Sequence, residues 1–175
     1  MEIIDLYDEN RMPLNRTAER GQPLPDGTYR IVIHVCIFNR AGQMLIQKRQ
    51  PFKRGFAGLW DVSCGGGVPT GEMSRQAAVR ELREELGLSV SPEALRAALT
   101  VHFPHGFDDI YVLCEEMPLD ALTLQPEEVA DAKWAAEDDV IAMIREGVFI
   151  PYHESLIRLM FALRNQADGA IRHEK

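Results

Sequence analysis

An α/β domain is the fold class this sequence predicts, and three observations lead to it. Apolar runs of strand type alternate along the chain with segments of helical period. A glycine-rich loop, Gly65-Gly66-Gly67, leads into an acidic helical stretch. The length of 175 residues suits one domain with a real core, and 46% hydrophobic with 26% charged content is ordinary for a globular chain.

Residues 2–7 (EIIDLY) read as a short strand, followed by a turn at Asp8-Glu9-Asn10. Residues 11–27 hold Pro13, Gly21, Pro23, Pro25 and Gly27 and are expected to be an irregular approach. Tyr29 to Phe38 (YRIVIHVCIF) is β-branched and nearly all apolar, as a central strand buried on both faces would be. After a turn at residues 39–42, Gln43 to Arg49 should return as its hairpin partner. Gly71-Glu72 opens a helix that Gly87 stops as a left-handed cap. Pro92 to Ala98 is a short helix or loop, and His102 to Glu116 a strand pair turning near Gly106. Glu137-Asp138-Asp139 puts negative charge at the start of a helix over 137–146, where the helix dipole favours it. Pro151 can start the last helix, whose stripe of Leu156, Leu159, Met160 and Leu163 is core packing. The tail from Asn165 is polar and expected to fray.

Nineteen Lys and Arg against twenty-seven Asp and Glu leave a net charge of −8. That weighs against nucleic acid and anionic membranes as partners, and any phosphate ligand must be held by local cations. No run of eighteen apolar residues and no signal-like start is present, so neither a membrane span nor export is expected. Cys36, Cys64 and Cys114 are isolated and odd in number, without metal-ligand spacing, which fits a reducing cytoplasm.

Chemistry concentrates in Gly66 to Leu88. Glu81, Glu84 and Glu85 stand at i, i+3 and i+4, so a helix stacks their carboxylates within an arc of roughly 100°. Leu82, Leu86 and Val79 fall on the neighbouring arc and can bury it. Three like charges repel; Arg80 and Arg83 relieve part of that and a divalent cation would relieve more. Oxygen-only ligands suit Mg²⁺ or Mn²⁺ rather than zinc. Just ahead of the glycine loop lie Lys48, Arg49, Lys53 and Arg54, the most basic part of an acidic chain. They are candidates for phosphate contact, or simply a solvated strand end. Trp60 could stack on a base, although a large aromatic beside a loop is more often core.

Gly66, five residues, Glu72, seven residues, then Arg80-Glu81-Leu82-x-Glu84-Glu85-x-Gly87-Leu88 resembles the Nudix box, complete at each defining position. The resemblance implies a mixed β-sheet sandwiched between α-helices over about residues 29–165. Residues 1–28 would then be a family-specific addition to the sheet, and 166–175 a polar tail. It also implies Mg²⁺- or Mn²⁺-dependent hydrolysis of a diphosphate bond in a nucleoside diphosphate linked to another moiety, by water attack on phosphorus. On that resemblance Glu84 and Glu85 hold metal, the carbonyl of Gly65 is a ligand, and Glu72 and Glu128 assist. Glu81 is a base or further ligand, and Arg80 orients the glutamates. Arg49 is the favoured substrate contact, with Lys48 and Trp60 beside it. The partner expected is a small-molecule diphosphate, and a homodimer would be in keeping with many relatives.

Two alternatives accompany this expectation. The order of N-terminal strand, long approach, YRIVIHVCIFN and G-x-W also resembles type I isopentenyl-diphosphate isomerase, but that enzyme's Cys-Gly-His falls at Gly65-Gly66-Gly67 and Cys64 is one residue out of register. A non-catalytic nucleotide-binding module would be expected to have lost box glutamates, and Glu81, Glu84 and Glu85 are all present.

Overall fold

A computed structural model of the chain describes residues 2–164, and the expected polar tail lies outside them. Among the described residues nine strands and three α-helices run in the order β1 (Ile3–Tyr7), β2 (Pro13–Glu19), β3 (Arg30–Phe38), β4 (Met44–Arg49), β5 (Trp60–Asp61), β6 (Cys64–Gly67), α1 (Ser74–Leu86), β7 (Ala97–Phe103), β8 (Gly106–Cys114), β9 (Val129–Ala135), α2 (Glu137–Arg145) and α3 (Glu154–Leu163). Two short 3₁₀ turns sit at Pro92–Ala94 and Leu119–Ala121.

The hydrophobic strand β3 is the centre of a seven-stranded mixed sheet. It runs parallel to β8 along its whole length, from Arg30 opposite Gly106 to Phe38 opposite Cys114. Its other edge is shared by two strands. Val32 to Val35 pair with Gly67 to Cys64 of β6, while β4 touches β3 only at Phe38 opposite Met44. The expected hairpin therefore splays open after one pair, and β4 pairs instead with β5 and β9. Ser63 fills the gap: its hydroxyl accepts from the backbone N–H of Ile37 at 2.8 Å and donates to the carbonyl of Leu45 at 2.5 Å. That satisfies two backbone groups which the splay would leave orphaned in the core.

Both faces of the sheet are covered. Ile31, Ile33, Val35 and Ile37 point to one side and pack on Ala77, Ala78, Leu82 and Leu86 of α1. Cys36 and Phe38 point to the other and pack on Val140 and Ile141 of α2 and Met160 and Phe161 of α3. The sheet is thus sandwiched between α1 and the α2–α3 pair. Cover on the second face stops halfway. Arg30, Val32 and His34, at the alternate positions of the first half of β3, line a cavity instead of core, so the strand is not buried on both faces throughout.

Residues 11–27 depart from the expected irregular approach. Residues 13–19 form β2, which pairs with β1 as a separate two-stranded sheet, not as an extra strand of the main one. Ile4 and Leu6 of this hairpin are buried. Tyr7 and Tyr29 exchange backbone hydrogen bonds of 2.8 and 2.9 Å. The guanidinium of Arg11 grips the buried carboxylate of Asp109 with two nitrogens, one of them at 2.8 Å. The last helix begins at Glu154 and not at Pro151, which leaves Ile150-Pro151-Tyr152 on the cavity wall in a tight turn closed by the Tyr152 N–H on the carbonyl of Ile150 at 2.7 Å.

Candidate active site

Helix α1 follows β6 through a turn at Gly71 (φ +82°) and a bond from the backbone of Met73 to the side chain of Gln76, 2.8 Å. Its C-terminus closes at Gly87 in the left-handed region, with the N–H groups of Gly87 and Leu88 returned to the carbonyls of Arg83 and Leu82. Between these ends Ala77, Ala78, Leu82 and Leu86 anchor the helix on the sheet. That fixes the rotation of the acidic face. Glu81 and Glu85 are pressed against the glycine strand, with residue exposures of 8% and 4%, while Glu84 stays half exposed.

A cavity of about 480 Å³ is lined by Gly65, Gly66, Glu72, Arg80, Glu81, Glu84, Glu85, Arg49 and Glu128, together with Glu2, Arg20, Lys53, Pro69 and Gln125. Eight of the ten residues that the sequence nominates therefore meet in one place. Arg80 is the hub. Its Nε donates to Glu72 (3.1 and 3.2 Å), Nη1 to Glu81 and Glu84 (2.9 Å each) and Nη2 to the carbonyl of Gly67 (3.2 Å). Glu85 accepts from Gln47 at 3.0 Å and from the backbone of Gly65 at 3.4 Å. Glu128 sits on a loop tied to the end of α1 by bonds from Gln125 N–H to the carbonyl of Glu85 and from Thr123 N–H to that of Leu86, and it pairs with Lys53.

Lys48 and Trp60 are the two that do not arrive. Successive side chains of a strand point to opposite faces, so when Gln47 and Arg49 of β4 face the carboxylates, Lys48 faces away. It lies with Lys133 over the ring of Trp60, in a separate small cavity with Leu59 and Met143. Lys133 Nζ is 4.5 Å from the ring centroid. Trp60 is packed against the α2–α3 core, as a large aromatic usually is.

The glycines have a steric explanation. A β-carbon on Gly66 would lie 2.1 Å from Oε1 of Glu81, and one on Gly65 would lie 2.6 Å from the ring of His34. Only a bare backbone lets β6 pass between these side chains. Electrostatics follow from the same crowding. Burial, then the neighbouring Glu81, pushes the Glu85 carboxyl up to about 7. Burial also raises Glu81, although the charge and hydrogen bond of Arg80 pull the other way. Three carboxylates, Glu72, Glu81 and Glu84, thus share one arginine, and a fourth, Glu85, lies beside them in the same cavity. The donors are all hard oxygen, and the excess negative charge is the chemistry that a Mg²⁺-like divalent cation complements. Among the described residues no three acidic, histidine or cysteine side chains already converge on one point, since Glu72, Glu81 and Glu84 direct oxygens at Arg80.

Behind this cavity, and sharing Arg20, Arg49, Gly65 and Gly66 with it, opens a second of about 610 Å³. Its walls are mainly apolar, with Phe56, Val101, Phe103, Ile150 and Leu156. Its floor is a polar chain. Nδ1 of His34 lies 2.8 Å from both oxygens of Asp108, and Nε2 lies 3.2 Å from the hydroxyl of Tyr152, which donates to Asp61 at 2.8 Å. With its own proton given to Asp61, the tyrosine oxygen can accept from His34, so the ring is suited to be imidazolium. Burial lowers the pKa of His34, but the hydrogen bond to Asp108 and the charges of Asp108, Asp61 and Glu85 outweigh it and raise it overall. Asp61 also faces Nη1 of Arg49 at 3.5 Å. No pattern in the sequence singles out His34, Asp61, Asp108 or Tyr152. They come from four separate elements, and only the period of β3 could have shown that His34 shares a face with Arg30.

Comparison with known proteins agrees with this geometry. The family model for the NUDIX domain matches residues 28–155. An uncharacterised Nudix hydrolase of Listeria monocytogenes is 45% identical, over 94% of this chain and 96% of its own. An isopentenyl-diphosphate Delta-isomerase of Streptomyces avermitilis is 33% identical over 61% of this chain and 53% of its own. The crystal structure of a Deinococcus radiodurans protein superposes with a TM-score of 0.75 at 26% identity, covering 90% of this chain and 98% of that one.

Proposed function

Since the chain belongs to the Nudix hydrolase family, whose members act on nucleoside diphosphate derivatives, we propose that it hydrolyses the diphosphate bond of a nucleoside diphosphate linked to another moiety, in a Mg²⁺- or Mn²⁺-dependent reaction. The observation that carries this reading is the Arg80 hub, which gathers Glu72, Glu81 and Glu84 in the cavity where the buried Glu85 faces Gly65.

Glu84, Glu85 and the carbonyl of Gly65 would hold the cation, with Glu72 and Glu128 in reach to assist. When bound, such an ion supplies positive charge for the phosphate oxygens and lowers the pKa of water. The protein's own groups do the rest. Arg80 fixes the orientation of the glutamates through its fork of donors and keeps its charge throughout. Glu81, held against Gly66 with one oxygen on Arg80, takes the proton of the attacking water. Arg49 sits where both cavities meet and contacts a substrate phosphate there. The catalytic unit is the segment 29–165, with the hairpin as an addition to it.

The isomerase reading has no support at the site. It requires a reactive thiol, and Cys64 is fully buried in the core beneath α1, with its pKa driven well above the ordinary thiol value by burial and by Glu85 and Glu81.

A panel of ADP-ribose, NADH, coenzyme A, nucleoside triphosphates and isopentenyl diphosphate, with Mg²⁺, Mn²⁺ or chelator, tests the proposal. Chromatography should show cleavage of at least one diphosphate, lost with chelator and reduced by about 10³-fold or more in E84Q/E85Q, given the several kcal/mol that metal charge supplies. Metal-independent turnover, or isomerisation without cleavage, would overturn it.

A further inference from the structure

Arg30 is out of keeping with the other arginines. Five arginines among the described residues are partly buried. Arg11, Arg49 and Arg80 each face a carboxylate, and Arg164 donates to the carbonyl of Phe161. Arg30 has neither. Among the described residues its guanidinium has only the ring of Phe103, 5.8 Å away, beneath it. It opens into the second cavity from the first position of β3, on the same face as His34. An aromatic face attracts a cation but leaves its charge uncompensated.

Arg20 is brought to the same cavity by the N-terminal hairpin. It follows β2 directly, is held there by backbone and side-chain bonds to Glu2 (2.9 and 2.6 Å), and lines both cavities. A β-carbon on Gly67 would meet its guanidinium at 3.2 Å, so Arg20 lies directly on the glycine strand. Its charge adds to burial in pushing the pKa of Arg30 down. Two guanidiniums thus line one cavity, Arg20 paired with Glu2 and Arg30 without a counter-ion, in a chain of net charge −8, an arrangement that suits an anion. Arg20 also lines the carboxylate cavity, whereas Arg30 lines the second cavity alone.

We propose that Arg20 and Arg30 form a second phosphate subsite, so that the substrate carries a phosphate group in addition to the diphosphate that is cleaved. That group is either the third phosphate of a triphosphate chain or a phosphomonoester on the organic end. The N-terminal hairpin is then part of the substrate site, because it supplies Arg20. The assignment to a substrate rests on the hydrolase reading; the existence of the anion subsite does not.

Binding without metal separates the two. In chelator, calorimetry with inorganic pyrophosphate and tripolyphosphate is run on the full-length wild type, R30Q, R30K and R20Q. Tripolyphosphate should bind the wild type and lose about 10- to 100-fold in affinity in R30Q, the range expected for one charged hydrogen bond. R30K, which keeps the charge, should restore much of it, and R20Q should weaken it as well. No measurable tripolyphosphate binding to wild type, or R30Q equal to wild type, overturns the subsite even if the enzyme is a hydrolase. Turnover then identifies the source of the phosphate. A larger R30Q loss in kcat/KM for ATP than for ADP assigns the third phosphate. A larger loss for coenzyme A than for dephospho-coenzyme A assigns the phosphomonoester. Losses equal within both pairs contradict a second phosphate on the substrate. Failure of every compound to be cleaved, with tripolyphosphate binding intact, would refute the hydrolase reading and leave the subsite standing.

Discussion

Gly66 and Glu85 show how single residues set the terms of this site. Gly66 is defined by what cannot be there: a methyl group would enter the Glu81 carboxylate at 2.1 Å. G66A must therefore push Glu81 away from the Arg80 hub. We expect a fall in kcat of about 10²-fold or more, consistent with the cost of a 1 Å misplacement, with a much smaller change in melting temperature. Activity and thermal melting measured on the same preparation check this. Glu85 is defined by burial. Its folded pKa of about 7 is raised above the ordinary 4.5, so its contribution to stability is full below 4.5 and is lost as pH rises through about 7. In metal-free protein, E85Q should thus be more stable than wild type at pH 8 and gain little at pH 5. Denaturation midpoints in chelator at the two pH values measure it, and an equal gain at both would contradict the account.

At the scale of elements, the N-terminal hairpin depends on one buried anchor. Asp109 is 3% exposed at its side chain and is held by Arg11 and by Thr100 at 2.7 Å. Burial alone would raise its pKa, but bonds from Arg11, Ser74 and Thr100 outweigh this and depress it. A depressed carboxyl stabilises above its unfolded value and loses that contribution as pH falls through the folded one. The anchor is therefore complete at neutral pH and fails only in acid, below about 4. R11M should cost about 2 kcal/mol, less than breaking a fully buried pair because Arg11 keeps 36% of its side chain in water. If the hairpin positions Arg20, the same variant should also raise KM. Chemical denaturation and steady-state kinetics test the two parts separately.

This hairpin was only half legible in the sequence. The strand β1 has alternating buried Ile4 and Leu6, whereas β2 (PLNRTAE) has no buried residue, so period 2 has nothing apolar to display. The splay of β3 from β4 was hidden for a related reason. Both strands are apolar and joined by a short turn, and the residue that parts them, Ser63, lies far along the chain.

On the scale of the whole molecule, the fold places two cavities back to back across the glycine strand β6. The carboxylate side was legible because Gly66 to Leu88 is contiguous, and helical spacing alone puts Glu81, Glu84 and Glu85 on one face. The other side was not. His34, Asp61, Asp108, Tyr152, Arg20 and Arg30 come from separate parts of the chain, and sheet topology alone assembles them. Lys48 shows the limit of proximity in sequence, since it adjoins Arg49 yet points to the opposite face.

Isotope-labelled hydrolysis reaches the central claim most directly. The diphosphate cleaved by the wild type would be turned over in ¹⁸O-water with Mg²⁺, alongside E81Q, and both products analysed by mass spectrometry. Water attack on phosphorus with Glu81 as proton acceptor predicts label in a phosphate group of one product and none in an alcohol carbon–oxygen bond. It also predicts a rate in E81Q lower by about 10²- to 10⁴-fold. Label on the organic alcohol, or an E81Q enzyme as fast as wild type, would contradict it.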